Sequence, residues 1–368
     1  MTRQDPWQRF SFGLDEYRDL ELSTQVLIRA ARERGLEAEV LDRSSNTLRL
    51  HHRTEGRSEI VVQGTKTSAD SYVCTEIMGL KKVTKLLLAE AGLPVPQGQD
   101  YQSMEQALAD WPRYEGQLRQ LRTSEQAFNL IVKPNSTNYG IGISQLEAGH
   151  CSLKDYRQAL ERAFSHDQSI LIEEFIPGKE YRFLVIDGRL RAVLHRIPAN
   201  VTGDGQNNIA ALVAAKNGDP WRVGPQGSHI SPLETIELNT PELEILREQG
   251  LSPKSVPQVG EQIFLRHNSN ISTGGDSLDM TDVAHPGYGT LAQECAQVLG
   301  AKICGVDVIS TDITADPNQT GHAIIEANFN PVLYFHEYPA EGRPRSVASA
   351  VVELLFPHGE SAAGTDKT

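Results

Sequence analysis

The chain has no Cys-x-x-Cys pair, and its four cysteines, Cys74, Cys151, Cys295 and Cys304, lie far apart. That spacing argues against a zinc centre or a disulfide framework and fits a reducing cytoplasm. A long apolar run is also missing. The opening MTRQDPWQRF has no signal-peptide core, and the strongest apolar stretch, residues 347–356, is short and broken by Glu353, so no membrane span is expected. Positive charge is not in excess either. A formal net charge of -13 repels nucleic-acid phosphates and anionic lipid, and leaves room for an anionic nucleotide only where a few cations and backbone amides converge. No internal repeat or low-complexity tract is present. With 39% hydrophobic and 23% charged residues over 368 positions, the composition is that of a globular chain long enough for two or three packed units.

Ser23 or Thr24 is suited to cap a helix whose apolar stripe is Val26, Leu27, Ala30 and Ala31 and which Gly35 stops. Short β-like runs at 37–42, 47–50 and 58–63 follow, so residues 1–80 read as a small N-terminal α/β unit. A second helix is expected from near Val83, ended by Gly92, Pro94 and Pro96. From Phe128 the rhythm is α+β: strand FNLIVKP, the glycine-bearing turn NSTNYGIG, a helix over 153–164 and strand SILIEEF. Residues 182–196 alternate as a hairpin turning at Asp187-Gly188, and Gly203-Asp204-Gly205 marks another turn. A helix over 288–299 feeds strand AKICGVDVI, and strand HAIIEANFNP leads to a helix over 346–355, before a small polar tail that reads as disordered.

Two late strands carry the most specific pattern, with Asp307 in GVDVI and Glu326, Asn328 and Asn330 in IIEANFNP. Side chains alternate along a strand, so Glu326 and Asn328 share a face. If the Asp307 strand lies beside them, three oxygen donors converge, as a magnesium ion shared with substrate phosphates requires. Asp307 taken singly reads equally as a polar residue at the wet end of a sheet. Lys133 ends the apolar strand LIVKP, where a fixed ammonium can neutralise phosphate oxygens or simply be solvated. Gly140 and Gly142 let backbone N–H groups approach a polyphosphate, or make a flexible hairpin, and there is no Walker sequence G-x-x-x-x-G-K-[ST]. In SILIEEFIPGKEYRF, Glu173 and Glu174 run into Pro177-Gly178, with Glu180 beyond. The backbone of such a junction can pair with an adenine edge and a nearby carboxylate can take ribose hydroxyls, although an exposed acidic turn has the same residues. Arg266 in FLRHNSNISTGGD is a further cation for the chemistry, or a partner in an ordinary salt bridge.

In this order the segments resemble the ATP-grasp superfamily, which includes D-alanine-D-alanine ligase and cyanophycin synthetase. The nearest likeness is to the glutathione-synthetase module of bifunctional glutamate-cysteine ligase/glutathione synthetase. It runs from LELSTQVLIRAARERGLEAEVLDR through TKTSADSY, VLHRIPANVTGDGQNNI, LRHNSNISTGGDSLDMTD and GAKICGVDVI to IIEANFNP. The resemblance implies an α+β ATP-grasp fold in which two α+β subdomains grip ATP. The units would be the N-terminal α/β unit 1–80, a lid subdomain 81–175, a C-terminal subdomain 176–357 with the metal site, and the tail 358–368. It further implies that Lys81 in LKKVTK and Lys133 contact ATP phosphates, that Glu173 sits at the adenine hinge and that Glu180 holds the ribose. Asp307, Glu326 and Asn328 would bind Mg2+, with Mn2+ as the alternative, and Arg266 would steady the transferring phosphoryl group. The implied reaction forms an amide from a carboxylate and an amine through an acyl phosphate, releasing ADP. The implied substrates are γ-glutamylcysteine, supplied by a separate enzyme, and glycine. The partners are then small molecules, with no nucleic acid and no membrane, and a homodimer is an allowed assembly. Two other readings stand beside it: a cyanophycin-synthetase-like ligase for another peptide or amino acid, and a non-catalytic nucleotide-binding module.

Overall fold

The computed structural model describes residues 12–120, 129–137, 141–222 and 231–357. The first helix, α1 (Leu22–Glu33), starts before the expected caps, and Ser23 and Thr24 are buried in its first turn. The Ser23 hydroxyl accepts from the Leu333 amide at 3.2 Å, a long-range contact that replaces capping. Gly35, at φ +78°, follows the helix in the left-handed conformation that glycine tolerates best. Strands β1 (Glu37–Asp42), β2 (Thr47–His51) and β3 (Ser58–Val62) then form an antiparallel three-stranded sheet.

Where one helix was expected near Val83, two occur: α2 (Tyr72–Gly79) and α3 (Lys81–Glu90). Ser71 caps α2 by accepting from the Cys74 amide, and Leu80 is extended between the two helices. Strand β4 (Gly98–Tyr101) and helices α4 (Met104–Ala109) and α5 (Trp111–Gln120) follow. Next come β5 (Leu130–Pro134), β6 (Ser144–Leu146), α6 (Leu153–Phe164) and β7 (Ile170–Glu174). The sheet order is β4-β7-β5-β6, antiparallel throughout. Leu130, Val132, Ile170 and Ile172 pack from this sheet against Trp111, Tyr156 and Leu160 of the helices, so the unit has its own core.

Strand β8 (Lys179–Ile186) turns through Asp187-Gly188, both at positive φ, into β9 (Arg189–Ile197), as the sequence foretells. A smaller unit of β10 (Asn200–Thr202), α7 (Ile209–Asn217), α8 (Thr240–Glu248) and β11 (Gln262–Phe264) interrupts the larger sheet. The sheet resumes with β12 (Asp276–Asp279) and, after α9 (Pro286–Leu299), with β13 (Ile303–Ser310) and β14 (His322–Asn328). Its order is β12-β9-β8-β13-β14. The chain closes with α10 (Tyr334–Glu337) and α11 (Val347–Leu355).

Period-two alternation sets the two faces of the larger sheet. Tyr181, Phe183, Val185, Val306 and Val308 bury one face against α9, α2 and α3. Leu184, Ile186, Ala192 and Leu194 bury part of the other face against α1 and α11. Full burial of a side chain such as Leu27, Ile28 or Val351 contributes about 1.5–3 kcal/mol, which ties the N-terminal unit to this sheet. Among the described residues no helix is long and apolar enough to cross a membrane.

Candidate active site

The sheet face that buries Leu184 and Ile186 turns polar toward the other end of β8, where Arg182 and Glu180 replace aliphatic residues. Arg182 stands opposite Asp307 on β13, Glu180 stands opposite Arg196 on β9, and Asp307 stands opposite Glu326 on β14. Asp307 is 1% exposed. Both of its oxygens bond to the Arg182 guanidinium, and Oδ2 also accepts from Arg196 at 3.0 Å. Burial alone would raise its pKa, but the two guanidiniums outweigh that and hold it below the usual carboxylate range. Arg196 reaches Glu180 at 3.1 Å and donates from Nε to the Ser269 carbonyl. Burial nevertheless leaves the Glu180 carboxyl with a raised pKa.

A second cluster lies on the four-stranded sheet. Lys133 on β5 is opposite Leu171, two residues past the Ile131–Glu173 pair and so on the same sheet face. Its ammonium lies 2.8 Å from the Glu173 carboxylate, which also takes Lys85 from α3. All three side chains are buried. Burial, followed by the Lys133 charge, pulls Lys85 down to about 7. Burial opposes the charge on Lys133 too, but the Glu173 carboxylate more than offsets it and the pKa is raised. Lys81, one helical turn before Lys85, reaches Glu326 at 3.0 Å and the Thr137 carbonyl at 2.7 Å. Glu326 acts electrostatically on both Lys133 and Arg182, so it links the two clusters.

Of the site residues expected from the sequence, Lys81, Lys133, Glu173, Glu180, Asp307, Glu326 and Asn328 therefore come together. Glu173 sits at the expected strand end, but its carboxylate is taken up by two lysines. The hinge that follows it is anchored by backbone bonds from Glu174 to Gln97 and from Phe175 to Asn129. Gly142 has φ +77°, and a Cβ there would lie 2.7 Å from Pro134, so the loop after Lys133 packs closely only with glycine at this point. Gly140 lies outside the described residues. Arg266 bonds through Nε to the buried Glu242 of α8 at 2.6 Å, which places it in the smaller unit, while Ser269 of the same segment touches Arg196. Sequence reasoning missed Lys85, Arg182 and Arg196. Lys85 had a signal, the i, i+4 spacing from Lys81. Arg182 shares a strand face with Glu180.

The donors facing one another at the sheet end are two carboxylates and an amide. Asn328 turns its Nδ2 toward Asp307, 3.3 Å from Oδ2, and toward the Gly305 carbonyl. Among the described residues no three His, Cys, Asp or Glu side chains meet as a metal cluster. The set that does meet consists of hard oxygen donors and fits a divalent cation whose shell is completed by phosphates, provided Asp307 exchanges part of its arginine contact.

Family models match in two places: an ATP-grasp-like domain over residues 18–73 and a D-ala D-ala ligase C-terminus over residues 87–202. The solved structure of a bifunctional glutathione synthetase from Pasteurella multocida superimposes with a TM-score of 0.70 and 40% identity, over 95% of this chain and 46% of that one. The chain has the ATP-grasp fold. This ATP-grasp chain is also 45% identical over 348 residues to the glutathione biosynthesis bifunctional protein GshAB of Enterococcus faecalis, covering 94% of itself and 44% of that relative. The counterpart from Clostridium perfringens is 45% identical over 346 residues, covering 94% and 42%. The ATP-grasp chain thus spans just under half the length of the curated relatives it matches.

Proposed function

We propose that the chain is an ATP-dependent carboxylate-amine ligase that joins γ-glutamylcysteine to glycine and releases ADP and phosphate. One observation carries the reading. Five cations, Lys81 and Lys85 from α3 and Lys133, Arg182 and Arg196 from the two sheets, converge on four carboxylates, Glu173, Glu180, Asp307 and Glu326. In a chain of net charge -13 this is a local surplus of positive charge, suited to a polyphosphate. The likeness to the bifunctional glutathione proteins supports the choice of substrates.

In this reading Lys133, Lys85 and Lys81 bind the phosphates, with Gly142 allowing the close packing of the loop that follows Lys133. The strand end at Glu173 and the hinge after it receive the base, and Glu180 receives the ribose. Asp307, Glu326 and Asn328 hold Mg2+ or Mn2+, which when bound offsets charge on the phosphates. The substrate carboxylate attacks the γ-phosphorus and ADP leaves, giving an acyl phosphate. The amine then displaces phosphate and loses its proton as the amide forms. Arg182 and Arg196 hold fixed positive charge beside the centre at which negative charge moves, so positioning and electrostatics carry the rate. Arg266, held by Glu242 in the smaller unit, would steady the transferring phosphoryl group from the segment that meets Arg196 at Ser269. The four-stranded unit is the lid over this cleft.

The test is incubation with magnesium-ATP and a panel of dipeptides and amino acids, with products identified by mass. Glutathione is the expected product. Product with another pair keeps the ligase and replaces its substrates, as a cyanophycin-like enzyme would. Nucleotide binding without any product would make the chain a silent module.

A further inference from the structure

One more cation borders the site, and it differs from the five above in its partners. Lys66 donates to the Gln63 side-chain carbonyl at 2.6 Å and lies 5.8 Å from the Phe329 ring centroid, and among the described residues it has no carboxylate partner. Lys66 is half-buried. Its backbone exchanges both hydrogen bonds with Val62, at 2.9 and 3.0 Å, closing the turn Gln63-Gly64-Thr65.

That turn is unusual. Gln63 is a non-glycine residue at φ +53°, and Gly64 follows at φ +80°, where a Cβ would lie 3.1 Å from the Ser23 carbonyl oxygen. Left-handed backbone at such a residue persists where its surroundings enforce it. Here they do so through Asn330. Its Nδ2 donates to Gln63 Oε1 at 3.3 Å, and its Oδ1 accepts from the fully buried Thr65 hydroxyl at 2.5 Å. Asn330 lies two residues beyond Asn328, which touches Asp307, and the next residue, Pro331, packs against Gly305 beside Arg182. The turn of the N-terminal unit is therefore fixed to the Asp307 end of the larger sheet while it presents an ammonium that meets no carboxylate among the described residues.

We propose that Lys66 binds a carboxylate of the non-nucleotide substrates, and that Gln63 and Asn330 hold its ammonium in place for that contact. The inference rests on the ligase reading. The five ion-paired cations serve phosphates and the reacting centre. A carboxyl donor and an amino-acid acceptor each bring a carboxylate that needs a counter-charge, and Lys66 supplies one from outside the two sheets. Its ammonium is a compact point charge with three donors, of which Gln63 takes one, so donors remain for a carboxylate.

The test compares the wild-type chain with Lys66→Met, which keeps the aliphatic stem over Phe329 and removes the charge. The KM for either the dipeptide or glycine should rise roughly tenfold to a hundredfold, the scale of a lost charged hydrogen bond, while the KM for ATP and the melting temperature stay put. Carboxamide analogues at the non-reacting carboxylates, the glutamyl α-carboxylate of the dipeptide or the carboxylate of glycine, distinguish the two sources. The wild type should lose the same factor with the amide form of whichever substrate Lys66 holds, and Lys66→Met should lose nothing further with that analogue. Gln63→Gly keeps the charge, accepts the backbone angle and releases the ammonium, so it should show a smaller rise in the same KM. It also provides a reading if Lys66→Met does not fold. Amide formation by the wild type with both KM values unchanged in both variants overturns the role of Lys66 alone. Absence of any amide product from the wild type overturns the ligase reading and this inference together.

Discussion

The two charged clusters are built alike and respond differently. In each, a buried carboxylate on a central strand takes two cations: Glu173 takes Lys85 and Lys133, and Asp307 takes Arg182 and Arg196. Arginine stays charged in either place and grips a carboxylate with a planar fork, whereas a buried lysine can give up its proton. The pKa of Lys85 falls to about 7 while that of Arg182 rises further. In the proposed ligase the lysine cluster would thus be a responsive anion site, and the arginine cluster a rigid frame around the reacting centre.

Breaking the frame should have the largest effect. Asp307→Asn leaves two partly buried guanidiniums without their main counter-ion, so stability should fall by about 3–5 kcal/mol, as seen when one partner of a buried pair is removed. Turnover should fall at least about a hundredfold as well. A role as metal ligand alone, as the sequence suggested for Asp307, would cost activity and spare stability. Urea titration and turnover on one preparation check both. Unchanged stability would mean that the arginine pairs are not what holds Asp307.

Arg266→Gln should be next in its cost to stability, about 1–3 kcal/mol, because the fully buried Glu242 loses a charged partner. A drop in turnover with the urea midpoint intact would return Arg266 to the reacting centre. Lys133→Met should weaken ATP binding roughly tenfold or more by calorimetry, since it removes a charged contact to phosphate. It should also let Lys85 titrate higher, because the Lys133 charge is one cause of its low value. A nucleotide affinity equal to wild type would exclude Lys133 from the phosphate site.

The smallest effect is the response to pH. Above about pH 7 Lys85 is largely neutral in the free protein, and a polyphosphate favours its charged form. Nucleotide binding at pH 8 should then take up protons, and affinity should fall by at most about tenfold per pH unit as pH rises. Calorimetry in buffers of different ionisation heat measures the uptake directly. Equal heats in all buffers would show that Lys85 does not change charge on binding. The stability term has the opposite trend. The unfolded chain binds the Lys85 proton up to its ordinary value of 10.5, so this group's contribution to folding improves as pH rises from about 7 toward that value.

Local chemistry made much of the fold legible. The Asp187-Gly188 hairpin followed from turn residues between alternating strands, and the shared face of Glu326 and Asn328 followed from strand period. What needed pairing across the chain did not show. Arg182 and Arg196 read as ordinary strand residues until β8 was found between β9 and β13, which sets both guanidiniums against Asp307. Ser23 has the chemistry of a cap but is used by Leu333, more than three hundred residues away in sequence. Helices α7 and α8 were not foreseen because they lie among turn residues and pack on a small core of their own. Lys85 was within reach, since it shares a helix face with Lys81, but its neighbours Glu173 and Lys133 come from strands that only the tertiary fold brings to α3.

The central claim is that a substrate carboxylate attacks the γ-phosphate and is carried as an acyl phosphate to the amine. γ-Glutamylcysteine labelled with 18O in its cysteinyl carboxylate tests this directly when supplied with magnesium-ATP and glycine, and the released phosphate is weighed by mass spectrometry. One labelled oxygen per turnover should appear in the phosphate, because the bridging oxygen leaves with phosphorus when the amide forms. Amide product accompanied by unlabelled phosphate would contradict the account.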